Sequence, residues 1–183
     1  KVNYTYQKGK GRPEFSASGF NPIFALIYTP RSINLHEMKN IFDEEGNILD
    51  WYSKPLTVVN NPYAATSLTG NQDVTNRVNG FASLTYDISS WLKAMVRFGG
   101  DTYGKKTEKW IRHGLISSSG YSDGRFSTGQ YNMTEYNVDF LVTAQKDNIA
   151  DSKFSGSLSV GGNKMNRKYN TFVATAEGLN IPE

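Results

Sequence analysis

Hydrophobic and polar positions alternate with period two in four stretches of the chain. In RVNGFASLTYDISSWLKAMVRFGG, from Arg77 to Gly100, Val78, Gly80, Ala82, Leu84 and Tyr86 share one parity, and Asn79, Phe81, Ser83 and Thr85 share the other. After an interruption at Ile88 to Ser90, Leu92, Ala94, Val96 and Phe98 alternate with Lys93, Met95 and Arg97. In EYNVDFLVTAQK, Tyr136, Val138, Phe140, Val142 and Ala144 oppose Asn137, Asp139, Leu141, Thr143 and Gln145. In FSGSLSVGGN, Phe154, Gly156, Leu158, Val160 and Gly162 oppose Ser155, Ser157, Ser159, Gly161 and Asn163. Alternation of this length is the signature of a strand buried on one side only. It predicts two antiparallel hairpins, Arg77–Asp101 and Glu135–Lys164, side by side in one sheet.

The connections alternate in length. The first pair is joined by three residues and the second by DNIADS, while Thr102 to Thr134 separates the pairs with Gly, Ser and charge. Short turns at one end and long loops at the other are the rhythm of an outer-membrane barrel. Strand length agrees: about ten residues at roughly 3.3 Å each, tilted by about 45°, cover close to the ~25 Å apolar band of such barrels. Tyr86, Trp91 and Phe154 cluster at the tight turns and Tyr103 and Tyr136 near the opposite ends. That spacing suggests two interfacial aromatic belts. The expected fold is all-β: a segment of an antiparallel transmembrane β-barrel, about four strands in two hairpins, with long extracellular loops and one short helix. Residues 1–76 read as extracellular loop, 77–164 as the two hairpins with the loop between them, and 165–183 as the start of the next loop. The alternative is a soluble antiparallel sandwich. Against it stand strands longer than the usual 5–6 residues and apolar faces rich in Gly and Ala, which fill a close-packed core poorly.

The one helix expected is NLHEMKNIF, with Asn34 as cap, Glu37 as capping-box partner, and Leu35, Met38 and Phe42 as a short apolar stripe. DEEGN would end it, with Gly46 as the turn residue, and WYSKP and NNPYAAT read as irregular loop.

Composition narrows the function classes. Of 183 residues only 38% are hydrophobic, against about 45–50% in ordinary soluble proteins, and Tyr (11) and Phe (10) are abundant. The net charge of +3 comes from scattered Lys and Arg, not the basic stripe that nucleic acid requires. No cysteine is present, which removes thiolate metal sites and cysteine nucleophiles. FNPIFALIYTP, the most apolar stretch, is too short for a membrane helix, and no signal peptide is visible. The chain opens in mid-pattern with VNYTYQ and reads as a piece of something longer. His36 and His113 stand far apart, and Asp43, Glu44 and Glu45 lack the spacing of a cation loop. No hydrolase, phosphate-loop or dinucleotide motif occurs. Neither an enzyme nor a cofactor or metal is expected.

Two sets of residues remain as candidates for binding. Trp51, Tyr52, Tyr63, Trp110 and Tyr121 fall in the expected loops among Asn, Ser and Arg, where flat rings beside polar groups suit sugars or peptides. Lys93, Arg97, Asn137 and Asp139 fall on the parity opposite the apolar one, which a barrel would turn toward a wet lumen.

Several of these motifs occur together, in order, in one family. The Asn61-Pro62-Tyr63 approach to a strand, the Tyr-Asp-Ile to Trp-Leu turn (Tyr86 to Leu92), the Glu-Tyr-Asn to Asp-Phe-Leu strand (Glu135 to Leu141) and Glu-Gly-Leu-Asn-Ile-Pro (Glu177 to Pro182) resemble the SusC/RagA family of TonB-linked outer-membrane proteins. GFNPIFALIYTPRSINL looks like the family's preceding loop, so the resemblance runs from about Phe20 to the end. It implies part of a 22-stranded barrel around a plug, in the outer membrane of a Gram-negative bacterium. The implied partners are a SusD-like surface lipoprotein, outer-membrane lipid, a glycan or peptide substrate, and the TonB complex through parts absent here. The implied work is active nutrient import without catalysis. The rival is a soluble or surface-attached all-β glycan-binding module.

Overall fold

The computed structural model describes residues 1–12, 19–49, 60–117, 120–147 and 153–179, and the side chains of these except 116, 117 and 120–122. Five strands, β1 (Val2–Lys10), β2 (Thr69–Ser89), β3 (Leu92–Ser117), β4 (Gly120–Lys146) and β5 (Gly156–Glu177), form one sheet in the order of the chain. Two short helices, α1 (Pro22–Tyr28) and α2 (Pro62–Ser67), and a 3-10 turn at Glu37–Lys39 lie between β1 and β2. The all-β antiparallel expectation is met, and the sheet is not closed into a barrel. Contacts divide the chain into two units. Unit 1 comprises Lys1–Gln7, Thr75–Lys105 and Tyr131–Thr171, and unit 2 comprises Lys8–Val74, Lys106–Gln130 and Phe172–Glu183.

In unit 1 the register is fixed by cross-strand bonds. Lys1 and Phe81 exchange N–H···O bonds at 2.9 Å, Arg77 meets Asp101, Arg97 meets Asp139, and Asn163 meets Asn137. Each of these pairs joins odd-numbered residues, so the odd side chains of all five strands share one face and the even ones the other. β2 and β3 are joined by a turn at Ser90 and Trp91, within one residue of the expected interruption. Both expected hairpins are present and adjacent in the sheet.

Four stretches expected as loop belong to strands, one of them Thr69–Asn76 at the start of β2. Val2–Lys10 pairs with β2 as the first strand of the sheet. Thr102–Thr134 is mostly the continuation of β3 and β4, and the residues after Lys164 carry β5 on to Glu177. The physical reason is that backbone pairing needs no apolar side chains. In YGKKTEK and TGQYNMT both parities are polar, so the ladder continues where the hydrophobic alternation stops.

Unit 2 owes its helices to two Asn-Pro steps that read as loop in the sequence. Asn21 Oδ1 accepts from the N–H groups of Ile23 and Phe24 at 3.0 and 3.3 Å, and Asn61 Oδ1 accepts from Tyr63 N–H at 2.9 Å. Pro22 and Pro62 follow each cap at the first helical position, where the missing N–H costs nothing. α1 packs on α2, and α2 on the 3-10 turn. Buried Asn60 and Asn61 bind them together: their amides donate to the carbonyls of Gly19 and Met38, each at 2.7 Å. Ala64, Leu68 and Leu115 form the core, with Phe20, Ile41, Ile48 and Ile111 packed around it.

The expected helix from Asn34 shrinks to that single 3-10 turn. Asn34 does bond to Glu37, through Nδ2 to Oε1 at 3.2 Å, but its Oδ1 accepts from His36 N–H at 3.0 Å and closes a tight turn. Of the apolar stripe only Met38 is buried; Leu35 and Phe42 are exposed. DEEGN is the tip of a miniature hairpin closed by a Phe42–Ile48 bridge, with Gly46 at φ +84°, where a side chain would be strained.

Candidate functional site

The odd face of unit 1 is a set of polar pairs across strands. Arg77 forms a forked contact with Asp101, with Nε donating to Oδ1 at 2.9 Å. Arg167 Nε donates to Glu135 Oε2, and Arg97 Nε to Asp139 Oδ2 at 3.0 Å. Lys93 sits 3.3 Å from Asp87 beside the turn. Between the ion pairs, Asn3 donates to Asn79 at 3.1 Å and Asn163 to Asn137 at 2.6 Å. Thr143 and Ser159 hydroxyls meet at 2.9 Å. Of the polar candidates, Arg97, Asn137 and Asp139 are therefore neighbours, and Lys93 stands apart at the turn. Met95, Arg97, Asp139, Leu141 and Asn163 line a shallow open groove.

The even face is apolar and uncovered. Val2, Tyr4 and Tyr6 on β1 extend it beyond the segments read from the sequence. Leu84 is 73% exposed, Leu158 71% and Val160 63%. Two of its glycines are closely approached, Gly80 by the Lys1 carbonyl and Gly162 by a ring. The Phe140 ring covers Gly162, where a Cβ would meet it at 2.8 Å, and Phe98 stacks with Tyr136 at 6.3 Å between centroids. Phe98, Tyr136 and Phe140 thus meet neighbours within the face and are half exposed. Phe81, Met95 and Leu141 put some apolar surface on the odd face as well.

The candidate aromatics do not converge on one loop. Tyr63 is on α2 and is exposed. Trp110 is on β3, its indole lying over Gly70 so closely that no side chain would fit there. Tyr121 is on the β4 backbone. Trp51 and Tyr52 lie outside the described residues. The sequence reading missed two polar features of unit 2. Buried Asp73 pairs with Arg12 at 3.1 Å. Asn71 exchanges hydrogen bonds with the Arg12 backbone at 3.1 and 2.7 Å, fastening the end of β1. No local motif marks a pairing of residues so distant in sequence.

Two carboxyls of unit 2 are shifted. Hydrogen bonds from Lys106 and then Gln72 hold Glu108 below the usual carboxylate range, against the opposing effect of burial. At Asp43, desolvation pulls upward, but the backbone and side chain of Asn47 and the backbone of Glu45 and Gly46 outweigh it, and the carboxyl is held low. Among the described residues no group of three His, Cys, Asp or Glu is placed to hold a metal, and no helix is long and apolar enough to cross a membrane.

No family model matches the chain, and no curated protein matches it.

Proposed function

We propose that this chain is a section of the wall of an outer-membrane active importer of the SusC/RagA, TonB-dependent kind. The observation that carries the reading is the even face of unit 1. One parity across five strands presents a continuous exposed apolar surface, while the other carries paired charges and amides. Soluble monomers rarely leave apolar patches beyond a few hundred Å² uncovered. Fluid lipid solvates such a face, and its Gly and Ala positions cost little there. The apolar edge is also staggered: on β5 it stops at Gly162, under Phe140, whereas on β4 it continues to Tyr136. A band crossing tilted strands requires such an offset.

In this reading the Ser90–Trp91 turn faces the periplasm. The odd face, with Lys93, Arg97, Asn137 and Asp139, meets the aqueous lumen, where ion pairs and amides stay solvated. The outer residues, including Tyr63 and Trp110, face the substrate, a glycan or peptide, or a SusD-like lipoprotein lid. The residues' own chemistry supports passage and recognition, with no catalytic step. TonB would act through the plug of the whole protein.

The test is made on the native full-length protein. An antibody against this segment should find it in the outer-membrane fraction, extractable only with detergent and co-purifying with a surface lipoprotein. Loss of the gene should abolish growth on one oligosaccharide or peptide source. Recovery of the protein from the soluble fraction, with glycan binding intact, would establish the rival all-β module.

A further inference from the structure

The cations of unit 1 differ by face. On the odd face Arg77, Lys93, Arg97 and Arg167 each have a carboxylate partner, Asp101, Asp87, Asp139 and Glu135. These four acids are all odd-numbered, and the even positions of the unit's strands hold no Asp or Glu. Yet β5 places Lys164 and Lys168 on the even face. The parity is fixed on both sides, because Asn163 and Arg167 bond to Asn137 and Glu135 on the odd face, and Gly162 lies under the Phe140 ring on the even one. Both lysines are exposed and have no ion-pair partner among the described residues.

Their position is specific. They begin where the apolar run of β5 ends, near the middle of the strand and on the side of that run away from the tight turns. The Arg167–Glu135 register sets Asn166, between them, opposite Tyr136. Lysine stems lie along apolar surface while the ammonium reaches outward, and a tyrosine ring belongs at headgroup depth. Two lysines whose backbones stand roughly 13 Å apart along the strand, with an amide and a phenol between them and no carboxylate at the even positions of the unit's strands, form a place for negative charge.

We propose that Lys164 and Lys168, with Asn166 and Tyr136 between them, bind the anionic phosphate of lipid headgroups at the outer edge of the membrane band. The proposal rests on the transporter reading above and assigns to its lipid contact a headgroup chemistry and a set of residues. The lysines offer point charges to the phosphate oxygens, and Asn166 and Tyr136 offer neutral donors.

The test uses native mass spectrometry of the detergent-purified full-length protein, titrated with phosphatidylglycerol and with phosphatidylcholine of the same acyl chains. The parent should retain phosphatidylglycerol preferentially. Lys164→Gln and Lys168→Gln should each weaken that retention by roughly fivefold, the equivalent of about 1 kcal/mol per cation near an anionic surface. Lys93→Gln, on the other face, should leave it unchanged. Equal retention of the two lipids by the parent, or undiminished phosphatidylglycerol binding by the double variant, overturns the site. In that case the membrane reading survives as long as the protein still requires detergent. A protein that stays monomeric without detergent and retains neither lipid overturns both.

Discussion

Asparagine is the residue that organises the first part of the chain. Asn61 caps α2 with its oxygen and ties the 3-10 turn with its nitrogen, both from a buried position. Asn61→Asp keeps the cap acceptor but removes the donor to the Met38 carbonyl, whose desolvation then goes uncompensated. The expected loss is about 1–3 kcal/mol, read as reduced hydrogen-exchange protection of the amides in α2; unchanged protection would mean the amide clip carries no energy. Asp43 supports a pH prediction. Its carboxyl is lower in the folded hairpin than in an unfolded chain, so its contribution is complete above the unfolded value of about 3.9. It is lost as pH falls through the lower folded value. Protection of residues 41–49, corrected for intrinsic exchange, should fall over that acidic window in the parent and stay flat in Asp43→Asn. The Asn-Pro steps were visible as letters, NPIFALIY and NPYAATS, but both runs are too short for helical periodicity to register. The cap chemistry alone pointed to a helix. Conversely, Asn34 and Glu37 had the spacing of a capping box and yielded one turn, because the chain becomes extended at Asn40 (φ −76°, ψ 99°).

At the scale of the element, the two hairpins were legible because one face of each strand is apolar and its period is two. The extensions of β3 and β4 were not, since in YGKKTEK and TGQYNMT polar residues fall on both parities and the hydrophobic alternation is lost. β1 was obscured for a similar reason: Val2, Tyr4 and Tyr6 alternate, but Lys8 and Lys10 then break the pattern. The faces themselves are testable in β3. If unit 1 is the barrel wall proposed above, Val96→Arg in the full-length protein should cost about 2–4 kcal/mol, as a cation does on a lipid-facing midplane position. Met95→Arg should cost much less, because Arg97 and Lys93 already occupy that face. Val96→Trp should be close to neutral in reversible unfolding from lipid. In a close-packed core the same bulk would cost about 1–3 kcal/mol or more. A Val96→Trp variant that unfolds while Val96→Leu does not would identify the even face as protein core.

Among the described residues β1 and β5 are the edges of the five-stranded sheet and the even face of unit 1 is apolar and exposed, a combination that favours association in water. Residues 1–183 expressed alone should associate or require detergent. A monodisperse monomer with a sharp cooperative melt in plain buffer would favour the soluble module. The charged pairs of the odd face do not compensate, since exposed ion pairs contribute only about 0–1 kcal/mol each. On the transporter reading, partner and substrate leave no trace in the alternation, because recognition at the outer end of a barrel depends on side chains assembled from several strands and loops. Tyr63, Trp110 and Tyr121, one on a helix and two on different strands, illustrate how little spacing in sequence says about such a surface. In the transporter reading the two parities of unit 1 face different solvents. Single cysteines at Val96, Val138 and Val160, and at Met95, Asn137 and Ser159, in a cysteine-free background of the full-length protein in its membrane, distinguish them. A membrane-impermeant, water-soluble maleimide should label the odd positions once the lumen is open to it and spare the even ones, which should react with a lipid-soluble maleimide instead. Equal labelling of Val96, Val138 and Val160 by the water-soluble reagent, or protection of these positions from both reagents, would contradict a lipid-facing wall.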